Sequence, residues 1–259
     1  MTVILPFITR QFNGVIWRME VDELTDTLYV ETRNGAEKTV SFSGVNLING
    51  NDLFADLHTP ERWLTGIEVA YNGVLLLHGY QSEHTPAHKG LTAVDKTGEI
   101  IWTNYSLTFD HLSDDGPVVY NTMIQPKKLF LIAIETGNKV EGIDEQKHTE
   151  FENSITLPEP SQADTLNIQL PHDVVNNVLD YLAYNNYIIV SLHAVEQGRL
   201  KQHLYVLKDG KPIYHNLLNQ DIQKMQPESF ILYKNWLIFI EDKIKLKVVD
   251  LHSAELSDL

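Results

Sequence analysis

Cysteine is absent from the sequence, which excludes disulfides, thiolate nucleophiles, iron–sulfur clusters and cysteine-based zinc sites together. Long apolar runs are absent too, since no window approaches the ~18 consecutive apolar residues of a membrane-crossing helix. The opening stretch MTVILPFITRQF is broken by Pro6 and lacks both a basic flank and a small-residue cleavage site, so it reads as no targeting signal. Basic residues are scarce: 20 Lys+Arg face 35 Asp+Glu, a formal net charge of −15. A field of that sign repels phosphate backbones and anionic lipid, so the expectation is no nucleic-acid partner and no membrane surface. A soluble cytoplasmic protein is the default reading, although a chain without cysteine suits a periplasm equally well. What remains is ordinary globular material, 43% apolar and 21% charged over 259 residues. We read it as a single domain spanning 1–259.

The chain resembles itself at a period of about 40 to 50 residues. Four segments share a tyrosine and a turn: Val69–Gly73, Val118–Asn121, Leu182–Asn186 and Ile231–Asn235. Three run straight into apolar stretches, VLLLHGY, YIIVSLHAV and WLIFIED, which is the signature of tight hairpins. A second strand–turn–strand unit follows each time, as in LTAVDKTGEIIW, LFLIAIETGNKV, LYVLKDGKPIYH and KVVDLHSAEL. VSFSGVNLINGNDLF has the same shape and brings the count to five. Helical periodicity is weak, and only Asp173–Tyr184 is ambiguous.

Isolated short meanders are marginal in water. Packing five of them radially, face on face, buries both sides of each, so the pattern predicts an all-β, five-bladed β-propeller. Six blades is the alternative if Gly142–Asp180 hides a further meander. Residues 13–21, with Trp17, resemble the outer strand Gly98–Asn104 and are predicted to close the C-terminal blade around Lys245–Leu256. Trp17, Trp102 and Trp236 read as packing between blades.

The stretch Leu91-Thr92-Ala93-Val94-Asp95-Lys96-Thr97-Gly98-Glu99-Ile100-Ile101-Trp102 resembles the repeat of quinoprotein-type β-propellers, with its Ala-x-Asp, Thr-Gly turn and Ile-Trp; Ile134–Gly137 carries the turn again. The whole chain also resembles uncharacterised bacterial single-domain propellers. Quinone-dependent enzymes of that superfamily have more blades and a vicinal cysteine pair, so the resemblance implies the fold and no cofactor.

Short turns alternate with longer connections at 56–62, 81–89, 109–117, 142–172 and 219–229, which predicts that the longer loops share one face. Binding usually lives on such loops. They concentrate histidines and acids, from which we select Glu61, Asp115, Asp173 and Glu228 with His84, His88 and His172 as candidate ligand-binding residues. Trp63, just past Pro60-Glu61-Arg62, is the aromatic nearest a pocket. Pro60, Pro171 and Pro227 precede acids, so Glu61, Asp173 and Glu228 are expected to approach a common axis. There they would raise one another's pKa values. His84 and His88 have the i, i+4 spacing of a metal pair, but Pro86 puts them in a loop, where they read as solvated; no metal is expected.

The function read from this pattern is non-catalytic: a binding or interaction scaffold for a protein or small molecule, using the long-loop face and central mouth. The alternative is a carboxylate-dependent glycosidase, or another hydrolase, with Glu61, Asp173 and Glu228 as its acids; Glu68 and Asp180 are weaker candidates. Nucleophile-elbow, Walker and dinucleotide motifs are absent from the sequence.

Overall fold

A computed structural model describes residues 4–141, 149–227 and 229–252. Strand β1 (Ile8–Gln11) comes first. One sheet then contains β2 (Val15–Asp22), β3 (Thr27–Asn34), β4 (Thr39–Asn46) and β5 (Asp52–Leu57) in order. A second contains β6 (Thr65–Tyr71), β7 (Val74–Ser82), β8 (Thr85–Val94) and β9 (Ile100–Asn104). A third contains β10 (Leu107–Ser113), β11 (Gly116–Asn121) and β12 (Leu129–Leu131). Strand β13 (Ile155–Thr156) precedes the fourth sheet, which runs β14 (Glu159–Gln162), β15 (Val178–Tyr184), β16 (Tyr187–Glu196), β17 (Arg199–Lys208) and β18 (Lys211–Ile222). The last three strands are β19 (Phe230–Tyr233), β20 (Trp236–Glu241) and β21 (Lys245–Asp250), and with β1 and β13 they form the fifth sheet, ordered β1-β21-β20-β19-β13. The protein is all-β, every pairing is antiparallel, and no sheet closes on itself among the described residues. Among the described residues, no helix is long and apolar enough to cross a membrane.

The chain divides into two compact units, 13–153 and 1–12 with 154–259. In the first, Tyr29, Val40 and Phe42 of the first sheet bury against Ile67, Leu75 and Leu77 of the second. The second sheet's other face packs Val69, Leu76, Ala93 and Trp102 on Ile134 and Phe109. In the other unit, Ile189, Leu204 and Val206 pack on Leu237, Phe239 and Val249. The inner strands β7, β16 and β17 therefore bury apolar side chains on both faces, which explains their continuous apolar runs.

The tyrosine-containing turns are hairpins, β6/β7, β15/β16 and β19/β20. At Asn72-Gly73 both residues have positive φ, 52° and 80°, the backbone that matches the strand twist. Asp95 fixes the turn between β8 and β9 by accepting from the amides of Thr97 and Glu99 and from the Thr97 hydroxyl. Trp102 then lies across Gly137, where an added Cβ would come 2.9 Å from the indole, and its Nε1 donates to the Ile134 carbonyl at 2.7 Å.

Three expectations are corrected. Residues 13–21 do not join the C-terminal sheet: Val15–Asp22 pairs with Thr27–Asn34, and it is β1 that pairs with β21, Ile8 opposite Val248. The turn at 23–26 makes that local hairpin, and its ends meet at far lower chain-entropy cost than a partner over 200 residues away. Trp17 is accordingly not buried packing; it stands 65% exposed on the edge strand of the first sheet. The stretches 81–89 and 109–117 are not long loops, because β7 and β8 continue to a two-residue turn at Glu83-His84, and β10 and β11 to one at Asp114-Asp115. Part of 142–172 lies outside the described residues; within the rest, β13 and β14 join the fifth and fourth sheets. Ser253–Leu256 of the final repeat also lie outside.

Candidate functional site

At the end of the first two sheets remote from the Asn72-Gly73 turn, a cleft of about 650 Å³ opens between residues of the first unit. Val15 and Trp17 come from β2, Arg33 from β3, Lys38 from the β3/β4 turn, Trp63 from the segment leading into β6, and Tyr80 and Ser82 from β7. Glu83 and His84, the tip of the β7/β8 hairpin, form its rim.

Arg33 organises the floor. Its Nε donates to Glu31 Oε1 at 2.7 Å, and its Nη2 to the Thr65 carbonyl at 2.7 Å. Glu31 is 1% exposed and takes its other hydrogen bond from the Ile67 amide at 2.8 Å. A buried ion pair is tolerable only when its remaining donors and acceptors are satisfied, and here they are shared between two sheets. The guanidinium carbon so fixed lies 5.4 Å from the Trp17 ring, 5.2 Å from Trp63 and 5.7 Å from Tyr80. Cation–π attraction holds three aromatic rings around one immobile cation. Lys38 Nζ is 4.6 Å from the Trp63 ring and 3.5 Å from Glu83 Oε1.

Segment 58–64 presents Trp63 rigidly. His58 Nδ1 is 2.9 Å from the Val40 carbonyl, and the Thr59 hydroxyl donates to the Glu61 carbonyl at 2.6 Å. Glu61 Oε1 accepts from the amides of Leu64 and Trp63, and these two bonds hold its carboxyl below the ordinary range. Glu61 is thus a turn cap with a lowered pKa, opposite in direction to the raised value anticipated for an acid in a shared ring.

Next to the cleft, Tyr80 packs edge-on against His78 and His88, whose rings stack at 3.5 Å with 7° between planes. Glu68 Oε2 is 3.2 Å from His78 Nδ1 and 3.0 Å from His88 Nδ1. His78 is buried and neither of its ring nitrogens makes a hydrogen bond. His88 therefore belongs with Glu68 and His78 on three neighbouring strands, and His84 stands away from them at the hairpin tip.

In the other unit, His172 stacks on His203 at 4.4 Å, and both approach Glu196. His203 Nδ1 is 3.0 Å from His215 Nε2. Burial, then the neighbouring His172, lowers the His203 pKa to about 4. Asp173 is exposed beside this group, Glu228 lies outside the described residues, and Asp115 occupies the exposed β10/β11 turn. Of the selected residues, the structure brings Trp63 and His84 to the cleft, with Glu61 supporting Trp63. Arg33, Lys38, Trp17 and Tyr80 were missed. Their signal is a charged pair, Glu31-x-Arg33, continuing the apolar stretch Leu28-Tyr29-Val30 in its strand; Glu31 is buried with that stretch, where a charge survives only with a built partner.

Residues 21–102, from the end of β2 to β9, match a family described as a domain of unknown function, DUF4905. No curated protein matches the chain. Among solved structures it is similar to BamB from Moraxella catarrhalis, 8% identical with a TM-score of 0.34 over 91% of this chain and 85% of that one. It is similar also to the β-propeller domain of the Trilobed protease from Pyrococcus furiosus, 9% identical, TM-score 0.32, over 91% and 65%. A third is the arabinanase Arb43A of Bacillus subtilis, 14% identical, TM-score 0.30, over 92% and 95%.

Proposed function

We propose that the chain is a non-catalytic binding module, a single five-bladed β-propeller over 1–259, whose ligand enters the cleft at Trp17, Trp63 and Tyr80. The five antiparallel sheets, each built mainly from strands consecutive in the chain, support the propeller. The binding reading is carried by one observation: Trp17 is 65% exposed on the wall of a cleft whose floor, Arg33, is already neutralised by Glu31. An exposed indole beside a rigid aromatic group is costly surface unless something covers it. Lys38 is offset by Glu83, so the cleft is close to neutral within a molecule of net charge −15. Flat aromatic faces with Ser82, Glu83, His84 and Lys38 at the edge suit a ligand with apolar faces and hydroxyl edges, a neutral saccharide. Glu61 is unsuited to the general-acid half of a hydrolase, because two backbone amides engage its carboxylate and lower its pKa.

The test is a tryptophan-fluorescence titration with neutral pentose and hexose oligosaccharides. Saturable quenching, weakened tenfold or more in Trp17→Ala and in Trp63→Ala, is the expected result. Saturation by a proline-rich peptide instead, with no saccharide response, would move the reading to peptide docking in an aromatic groove. No response to either would end the cleft as a binding site.

A further inference from the structure

We propose that His172, His203 and Glu196 form a binding site for a divalent transition-metal ion of the zinc class, with His215 orienting His203. The site is independent of the cleft. Three imidazoles, from the segment before β15 and from β17 and β18, place one nitrogen each within 4.8 Å of one another. Beside this group, Glu196 Oε1 is 3.0 Å from His203 Nε2 and 3.2 Å from His172 Nδ1. Two donors that share a zinc ion at about 2.0–2.1 Å stand about 3.3–3.4 Å apart at tetrahedral angles, so both spacings lie close to those around one ion. His172, stacked on His203 at 23°, has only to rotate to bring its Nδ1 lone pair onto that ion.

The second observation is that the facing atoms are left over. His203 is 3% exposed, and its Nε2 and Glu196 Oε1 are both buried without a hydrogen-bond partner. A buried nitrogen and carboxylate oxygen in contact, neither hydrogen-bonded, lack a cation or proton between them. The rest of the group is already committed. Lys201 Nζ holds the other carboxylate oxygen, Glu196 Oε2, at 2.7 Å, which turns Oε1 inward. His203 and His215 meet through Nδ1 and Nε2 at 3.0 Å, with ring centres 5.3 Å apart and planes at 21°. That in-line contact lets His203 donate from Nδ1 and leaves its Nε2 lone pair for a metal, the usual arrangement around a ligating imidazole. Nitrogen-rich donors with one carboxylate select zinc-like ions over calcium or magnesium. The Glu68–His78–His88 group differs, because its carboxylate oxygen is not left over: Glu68 Oε2 is already hydrogen-bonded to His88 Nδ1 at 3.0 Å.

The experiment uses the untagged full chain, stripped with EDTA and desalted, titrated calorimetrically with zinc sulfate and, in parallel, with cobalt chloride read by visible absorption. The expected result is about one equivalent bound per chain, a higher melting temperature with zinc, and nitrogen-ligated cobalt bands. His172→Ala, on a partly exposed segment where folding is not at risk, should weaken binding at least tenfold; His215→Ala should weaken it about 10- to 100-fold. His88→Ala should leave it unchanged. Zinc affinity equal in the parent chain and His172→Ala, binding lost in His88→Ala instead, or no saturable binding at micromolar zinc would each overturn the proposal.

Discussion

Asp22 is 1% exposed and its carboxylate serves two turns at once. It accepts from the Leu24 amide at 3.1 Å and the Thr25 hydroxyl at 2.6 Å in its own turn, and from the amides of Asn72 and Gly73, at 3.2 and 2.6 Å, in the next sheet. Hydrogen bonds to a charged group contribute about 1.5–3 kcal/mol each, and an unsatisfied buried amide costs about 1–3 kcal/mol. Asp22→Ala should therefore lower unfolding free energy by about 3 kcal/mol or more in urea denaturation, and a loss below about 1 kcal/mol would remove Asp22 as the link between these turns. Gly137 makes a similar claim through its backbone, with φ of 68° and no room for a Cβ against Trp102. Gly137→Ala should destabilise more than Gly198→Ala, where φ is 77° but nothing lies within 4 Å. Equal effects on melting temperature would mean that the indole contact contributes nothing.

Glu241 supplies a pH dependence at the same scale. Burial alone would raise its pKa, but hydrogen bonds from Lys245, Lys247 and Asn216 overcome that and hold it at about 2, below the unfolded value of 4.5. A folded pKa below the unfolded one stabilises the native state fully above the unfolded value and is lost as protons bind. The Glu241→Gln variant should thus be less stable than the parent chain at neutral pH, with the gap closing between pH 4.5 and about 2. A gap constant across that window, measured by chemical denaturation, would show that these lysines do not hold the carboxylate.

At the scale of elements, the sequence read well where a local rule acts and badly where two segments compete for one partner. Asn72-Gly73 and Asp95-x-Thr97-Gly98 are turns by backbone chemistry alone, and the structure has hairpins at both. Choosing between Ile8–Gln11 and Val15–Asp22 as the edge of the last sheet needed knowledge of the 23–26 turn, whose cap is formed by Asp22 and not by a glycine or proline. The cleft was legible only at Trp63 and His84; Arg33 and Tyr80 alternate along strands whose outward face periodicity cannot tell from an inward one. The corrected pairing gives its own prediction. Removing residues 1–12 strips β1 from β21, exposes Leu246 and Val248, and takes away buried Ile8. Losing one buried isoleucine typically costs about 2–5 kcal/mol. The truncated chain should melt several degrees lower, and an unchanged midpoint by calorimetry would mean that β1 adds nothing to the sheet.

For the whole molecule, the dominant long-range property is the net charge of −15 on 259 residues. Like charges repel most in the compact state, and salt screens them over a distance of ~10 Å at 0.1 M. The melting temperature should rise between roughly 0.01 M and 0.3 M sodium chloride. A fall would show that attractive pairs such as Glu31–Arg33 and Glu241–Lys247 outweigh the net repulsion.

The β1–β21 pairing also sets a timetable. Ile8 emerges from the ribosome before its partner, Val248, which follows 240 residues later. At a synthesis rate of about 5–20 residues per second, β1 waits at least on the order of ten seconds with its edge unpaired. Sheets built from neighbouring hairpins can form as they are made, whereas the fifth sheet cannot acquire its edge until β21 has been made. In a growing chain, the fifth sheet is the natural place for a chaperone to act and for two nascent copies to exchange strands.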